Sequence, residues 1–402
     1  EIILEMKRIL LQKTFVLILI ALNTACGVHM DEKKMMANEI ESVKNVFAPD
    51  KRTALFNIEV LDGPSGFTLV GETNLPKAID SLKIVLKEKG INAKNEVRIL
   101  PANDLEGMTK AIINISAANL RSNPKHSAEL ATQATLGTVV NVLKKEGDWY
   151  LIQTPDMYLA WVDPGGIQLM TEEDVAQWTA SEKIIYTNTY GHAFTSIDAK
   201  NRVSDLVAGS LLKVLNSDDN FFEVEFPDSR KAYVSKEEAL EYNTWLSNLD
   251  YQADSLIETS RTLIGVPYLW GGTSTKGVDC SGYTKTIYFL NGMVIPRDAS
   301  QQVHAGMPID SVSDFSKLEK GDLLFFGRKA TETTSEKVVH VGMWIGDNQF
   351  IHASEMVRIS SVDKDSPNYD EFNVGRYLRT QRLLNQEDPL LKNLNITKPL
   401  KD

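Results

Sequence analysis

Cys280, His340 and His352 are the side chains of this 402-residue sequence best suited to covalent chemistry. A cysteine attacks as its thiolate, so its surroundings must favour the anion. Asp279 is a good helix N-cap, and it places Cys280 in the first turn of a helix whose apolar stripe is Tyr283, Ile287 and Leu290. Backbone N–H groups and the dipole at that end stabilise a thiolate. Asp279 works the other way, because a neighbouring negative charge raises a thiol pKa. Its carboxylate must be turned away or matched by a cation.

A thiol nucleophile also needs a base. His340 lies in VVHVGMWIG and His352 in QFIHAS, two strand-like runs joined by the turn Gly346-Asp347-Asn348. A three-residue loop would pair Gly342 with His352. His340 would then be a same-face diagonal neighbour of His352, about 7 Å away between Cα atoms. A two-residue loop would put the histidines on opposite faces. In the first geometry His340 can act as base while His352 orients it through the other ring nitrogen. The two cysteines and six histidines show no metal-ligand spacing, so neither a metal nor a cofactor is expected.

The elements that must carry these groups fall in residues 251 to 385. ADSLIETSRTLIG reads as a helix ending at Gly265, with Leu256, Ile257, Leu263 and Ile264 apolar. The helix beginning near Asp279 follows, then strands in GDLLFFG, VVHVGMWIG, QFIHAS and NVGRYLR. Helices first and an antiparallel sheet afterwards make an α+β domain.

Upstream lies an internal repeat. LGTVVNVLKKEGDWYLIQTPDMYLAWV, from Leu136, aligns without a gap with AGSLLKVLNSDDNFFEVEFPDSRKAYV, from Ala208. Short alternating strands and turn signals argue for two small β-barrels, 109–178 and 179–246. The first copy carries Glu129 and Tyr158 where the second has Asn201 and Arg230. Residues 46 to 108 read as a small mixed α/β unit, residues 28–45 as a charged helical spacer, and 386–402 as a tail.

At the N-terminus, Lys7 and Arg8 precede the apolar run TFVLILIAL and then Asn23-Thr24-Ala25-Cys26-Gly27. That is the pattern of an export signal. Its cysteine resembles the lipidated residue of bacterial lipoproteins, so residues 1–26 are expected to be the signal and Cys26 the anchor. An envelope or periplasmic location follows, with membrane contact through lipid only. A net charge of −11 argues against a nucleic-acid partner.

The repeat's pattern resembles bacterial SH3-like domains. YLWGG, DCSG, IPRDASQQ, KGDLLFF, HVGMWIG and FIHAS, in that order, resemble the NlpC family of cysteine peptidases, which have a papain-like core and cleave cell-wall peptides. The resemblance implies Cys280 as nucleophile, His340 as base and His352 as the orienting residue. Tyr268 would join the backbone N–H groups around the oxyanion. The whole architecture is similar to the dipeptidyl-peptidase VI type, which cuts between γ-D-glutamate and a diamino acid and requires a free N-terminal L-alanine. The ammonium would then be met by Asp279 and Glu129 with Tyr158 beside them, and Ser281, Tyr268 and Trp270 would line the D-glutamyl part. Ala299 stands where that type tends to carry serine.

These readings predict an exported, monomeric γ-D-glutamyl–diamino acid peptidase acting on murein-derived peptides. An endopeptidase on intact peptidoglycan is the close alternative. A non-catalytic wall-binding lipoprotein is the third reading, and the intact set of Cys280, His340 and His352 argues against it.

Overall fold

The computed structural model describes residues 30–64 and 66–395, so Cys26 and the signal-like segment lie outside the described residues. The described residues divide into two compact units, with the boundary between Asn103 and Asp104. In the first, strands β1 (Phe56–Gly63) and β2 (Gly66–Thr73) form an antiparallel hairpin, and β3 (Ala93–Asn95) and β4 (Arg98–Ile99) add in parallel to β2. Helix α1 (30–47) and helix α2 (Pro76–Glu88) complete it. The spacer expected at 28–45 is instead a core element. Met36, Ile40 and Val43 recur at helical spacing, and they are buried in one cluster with Leu82 and Leu69.

The second unit begins with the two barrels. The first contains β5 (Lys110–Ile113), β6 (Ala117–Arg121), β7 (Leu130–Thr135), β8 (Val139–Glu146), β9 (Trp149–Gln153), β10 (Leu159–Val162) and β11 (Ile167–Met170), followed by α3 (Glu172–Ala180). The second contains β12 (Lys183–Tyr186), β13 (Tyr190–Phe194), β14 (Arg202–Val207), β15 (Leu211–Ser217), β16 (Phe221–Glu225), β17 (Lys231–Ser235) and β18 (Ala239–Glu241). Their sheets run β11-β5-β8-β9-β10-β6-β7 and β18-β12-β15-β16-β17-β13-β14. Numbered within each copy, both orders are the same, so the sequence repeat is a repeat of topology. Gly137 and Gly209 occupy the same turn with φ of +83° and +86°. A Cβ at Gly137 would strike the Leu211 carbonyl of the second barrel, and one at Gly209 would press on Phe289 of the C-terminal domain. Each glycine permits the next domain to dock.

Helix α4 (Tyr242–Ser247) packs on β12 and β18 of the second barrel, and the C-terminal domain opens with α5 (Ala253–Thr262). A short hairpin, β19 (Thr273–Ser274) and β20 (Gly277–Val278), leads into α6 (Cys280–Leu290). Strand β21 (Met293–Val294) and helix α7 (Ala299–Gln302) follow, then β22 (Met307–Asp310), β23 (Leu323–Arg328), β24 (Lys337–Gly346), β25 (Gln349–Ser354), β26 (Met356–Ser361), α8 (Glu371–Gly375), β27 (Tyr377–Arg382) and β28 (Lys392–Asn393). The main sheet is antiparallel in the order β22-β27-β23-β24-β25-β26. Tyr283, Ile287, Val341, Met343 and Ile351 share one buried cluster, so α6 packs on the face of β24 and β25. Two expectations change here. Asn373 and Val374 belong to α8, capped by Asp370, rather than to the following strand. The tail is docked as far as it is described: β28 pairs with β21, and Lys392 donates to the Pro155 carbonyl of the first barrel at 2.7 Å.

Candidate active site

Asp279 caps α6 by accepting from the Gly282 N–H at 2.7 Å. Cys280 is therefore the first helical residue, and it is 8% exposed. Gly282 has to be glycine, since a Cβ would collide with the Gly272 carbonyl oxygen. The hairpin just upstream is gripped by both barrels. Gln133 exchanges hydrogen bonds with Thr273 and Ser274, and Thr275 donates to the Thr189 carbonyl. Lys276 pairs with Asp205 of the second barrel and donates to Ser116 of the first.

The histidine hairpin reaches the expected register by another route. Asp347 and Asn348 have φ of +51° and +57°, the signature of a two-residue turn, and Gly346 pairs with Gln349. A two-residue turn alone would separate the histidines. A bulge between Trp344 and Gly346 shifts the register by one, giving Trp344↔Phe350 and Met343↔Ile351. The shift puts both imidazoles on one face, with His340 Nε2 2.7 Å from His352 Nδ1. Gly342 makes room, because a Cβ there would lie 3.2 Å from His352 Cβ. His352 Nε2 in turn lies 3.0 Å from Ser360 Oγ and 3.8 Å from Asp370 Oδ2.

This chain of contacts sets the tautomers. If His352 donates from Nε2 toward Ser360 and Asp370, its Nδ1 accepts from His340 Nε2–H. His340 Nδ1 is then the free lone pair. The thiol lies against the same strand, where the Val341 N–H, next to His340, favours its anion together with the Ser281 N–H and the Arg297 charge. Burial, and after it Asp279, push the thiol up to about 12. Burial, then His352 and the Arg376 and Arg358 guanidiniums, hold His340 well below the usual imidazole range. Either charge alone is disfavoured. Moving the proton from sulfur to imidazole creates both together, so thiolate and imidazolium stabilise one another as attack begins.

Sequence reasoning missed Arg297. It is 1% exposed and pairs with Asp279 at 2.7 Å. It also donates to Ser281 Oγ at 3.1 Å and to Thr132 Oγ1 of the first barrel at 2.9 Å. Burial opposes its charge, yet Asp279 holds its pKa above the ordinary value. The cation that offsets Asp279 is thus part of the protein. With Gly271 N–H and Gly282 N–H also on its oxygens, Asp279 is already fully engaged, which revises its expected role as receiver of the substrate's amine. The motif containing Arg297 was legible, but its partner lies 18 residues away, and only docking of the barrel buries the pair.

The remaining expected residues gather around this centre. Tyr158 donates to Asp298 Oδ2 at 3.1 Å, which brings an unforeseen acid to the site. Glu129 Oε1 accepts from Trp270 Nε1 at 2.7 Å, and Trp270 is 62% exposed. Ser281 is buried between Asp279 and Arg297. Tyr268 is half-buried, and burial, then the Cys280 and Asp279 charges, raise its phenol. Ala299 is buried in the first turn of α7, and Gln302 in that helix holds α6 through the Ser281 carbonyl and Thr284.

A thiol at a helix N-terminus, facing a histidine pair on an antiparallel sheet, defines a papain-like cysteine peptidase. Comparison with known proteins gives the family. Residues 265–376 match the NlpC/P60 family and residues 116–168 match the bacterial SH3 domain. The chain is 33% identical over 261 residues to a gamma-D-glutamyl-L-lysine dipeptidyl-peptidase of Bacillus cereus, covering 62% of this chain and 76% of the relative. It is 26% identical over 276 residues to dipeptidyl-peptidase 6 of Lysinibacillus sphaericus, covering 64% of this chain and 94% of that one. The crystal structure of an NlpC/P60 family protein from Bacillus cereus superposes with a TM-score of 0.58 at 28% identity, covering 68% of this chain and 99% of the other. The chain belongs to the NlpC/P60 family and is a cysteine peptidase. Its relatives support a hydrolase of peptidoglycan peptides.

Proposed function

We propose that this protein hydrolyses the γ-D-glutamyl–diamino acid bond of murein-derived peptides whose N-terminal L-alanine is free, and that it does so outside the cytoplasm. The export signal read in residues 1–26, with Cys26 as a lipid anchor, supports the location. The observation carrying the substrate reading is that the first barrel delivers Tyr158 and Glu129 to the catalytic domain, where they bond Asp298 and Trp270. These groups form an acid-rich wall suited to a substrate ammonium. A longer or acylated N-terminus would meet the barrel.

In this reading His340 takes the Cys280 proton, and the sulfur attacks the γ-carbonyl carbon. The N–H groups at the start of α6 hold the oxyanion. Tyr268 adds a donor, since its hydroxyl has no hydrogen-bond partner among the described residues. The protonated His340 gives its proton to the departing amine of the diamino acid. Water, deprotonated by His340, then cleaves the thioester and frees the dipeptide acid.

The test is product analysis on L-Ala-γ-D-Glu-L-Lys with the alanine amine free or acetylated. Turnover of the free peptide and little of the acetylated one is expected. Cys280→Ser should abolish turnover. Glu129→Gln combined with Tyr158→Phe should reduce the preference for the free amine roughly tenfold or more. Equal turnover of both peptides by the native enzyme, or cleavage of stem peptides still attached to glycan, would point to the endopeptidase reading instead.

A further inference from the structure

We infer that the buried ion pair between Asp156 and Lys285 is a positioning device, setting the span between the amine-reading wall of the first barrel and the thiol of Cys280. The inference rests on the substrate reading above. Asp156 and Lys285 approach to 3.0 Å, with side chains 1% and 18% exposed. Lys285 is five residues after Cys280 in the same helix, which fixes it about 7.5 Å further along the axis. Asp156 is two residues before Tyr158 in a closed turn. Thr154 N–H donates to the Tyr158 carbonyl at 3.0 Å, Met157 N–H donates to the Thr154 carbonyl at 2.8 Å, and Met157 has a φ of +67°. A rigid turn and a rigid helix are thus joined by one ion pair. Lys392 also holds this turn, through the Pro155 carbonyl.

The pair borders a cavity of about 90 Å³ lined by Gln133 and Thr154 of the first barrel, Ala208 of the second, and Thr273 and Phe289 of the catalytic domain. There the attraction is weakly screened by salt. Burial alone would raise the Asp156 carboxyl, yet with Lys285 beside it the group lies below the usual carboxylate range. A buried ion pair is a poor source of net stability compared with apolar residues of similar volume. What this pair supplies is a fixed direction and distance, and the residue it fixes is Tyr158.

The experiment compares native enzyme, Lys285→Met, Asp156→Asn, the charge-free double variant Lys285→Met with Asp156→Leu, and the conservative Lys285→Arg. Each is assayed on the free and N-acetylated tripeptides. Lys285→Met and the double variant should raise KM for the free peptide roughly ten- to hundredfold. Their kcat should stay within about threefold, with kcat/KM on the acetylated peptide unchanged. Lys285→Arg should recover most of the loss. The double variant keeps the test valid if a lone buried charge unfolds a single variant. A native preference for the free amine that survives in the folded variants overturns this inference alone. A native enzyme indifferent to the amine overturns the substrate reading and this inference with it.

Discussion

Two turns related by the internal repeat, Thr154–Tyr158 and Phe226–Arg230, have the same backbone and different work. In both, the first N–H donates to the last carbonyl and the first carbonyl accepts from the fourth N–H. Met157 and Ser229 share a φ of +67° and +68°. In the second copy the charges meet each other and the first barrel. Asp228 pairs with Arg230 at 2.6 Å, and Arg230 stacks on Phe226 and reaches the Asn114 carbonyl. In the first copy the equivalent aspartate and tyrosine reach outward, to Lys285 and Asp298 of the catalytic domain. One scaffold braces the two barrels against each other in one copy and reaches the C-terminal domain in the other; the aspartate is common to both, and Tyr158 stands where the second copy has Arg230. The fold sets where the turn points, and the side chains decide what it meets.

The comparison can be broken first with the two arginines. Arg297→Met should cost about 3–5 kcal/mol, because Asp279 would be left buried and uncompensated, and activity should fall with it. Arg230→Met should cost no more than about 1 kcal/mol and leave kcat/KM unchanged. Denaturant titration and peptide assays check both, and equal losses would show that burial does not set the Arg297–Asp279 pair apart from the Arg230–Asp228 pair.

Acid sharpens the contrast next. Burial lowers His352 to about 4. Because the folded state disfavours the protonated ring, stability is fully present above the unfolded pKa near 6.5 and is lost as pH falls toward 4. The loss should be of the order of 3 kcal/mol, read by thermal melts across that range. Ser360→Ala with Asp370→Asn should alter that profile. The turn at Asp156 should hold through this window, since its carboxylate protonates only below the usual range near 3.8.

The two glycines at the domain junctions extend the comparison. Gly137→Ala meets both a positive φ and a backbone carbonyl, and should cost about 3 kcal/mol. Gly209→Ala meets the same φ but only the side chain of Phe289, and should cost about 1 kcal/mol. Melting temperatures of the two variants give the order.

Much of this was legible because it is local. An aspartate before DCSG's cysteine reads as a cap, and the structure caps there. The repeat reads as two copies, and the sheets share one strand order. The histidine pair was expected from a three-residue loop, but a two-residue turn with a bulge produces the same pairing. Strand periodicity tells which residues can share a face, and bulges escape it because one extra residue leaves little trace in the pattern.

The sequence by itself determined the candidate nucleophile's helix, the histidine strands and the doubled barrel, since each is written in short-range spacing and turn chemistry. Tertiary structure alone decided which charges meet. Arg297 and Asp279 sit on different elements, as do Lys285 and Asp156, and nothing in local periodicity couples them. Only docking of the first barrel removes water from both pairs, and desolvation is what turns nearby opposite charges into fixed geometry. The awkward acid beside the cysteine is resolved in the same way, by an arginine that the fold brings to it.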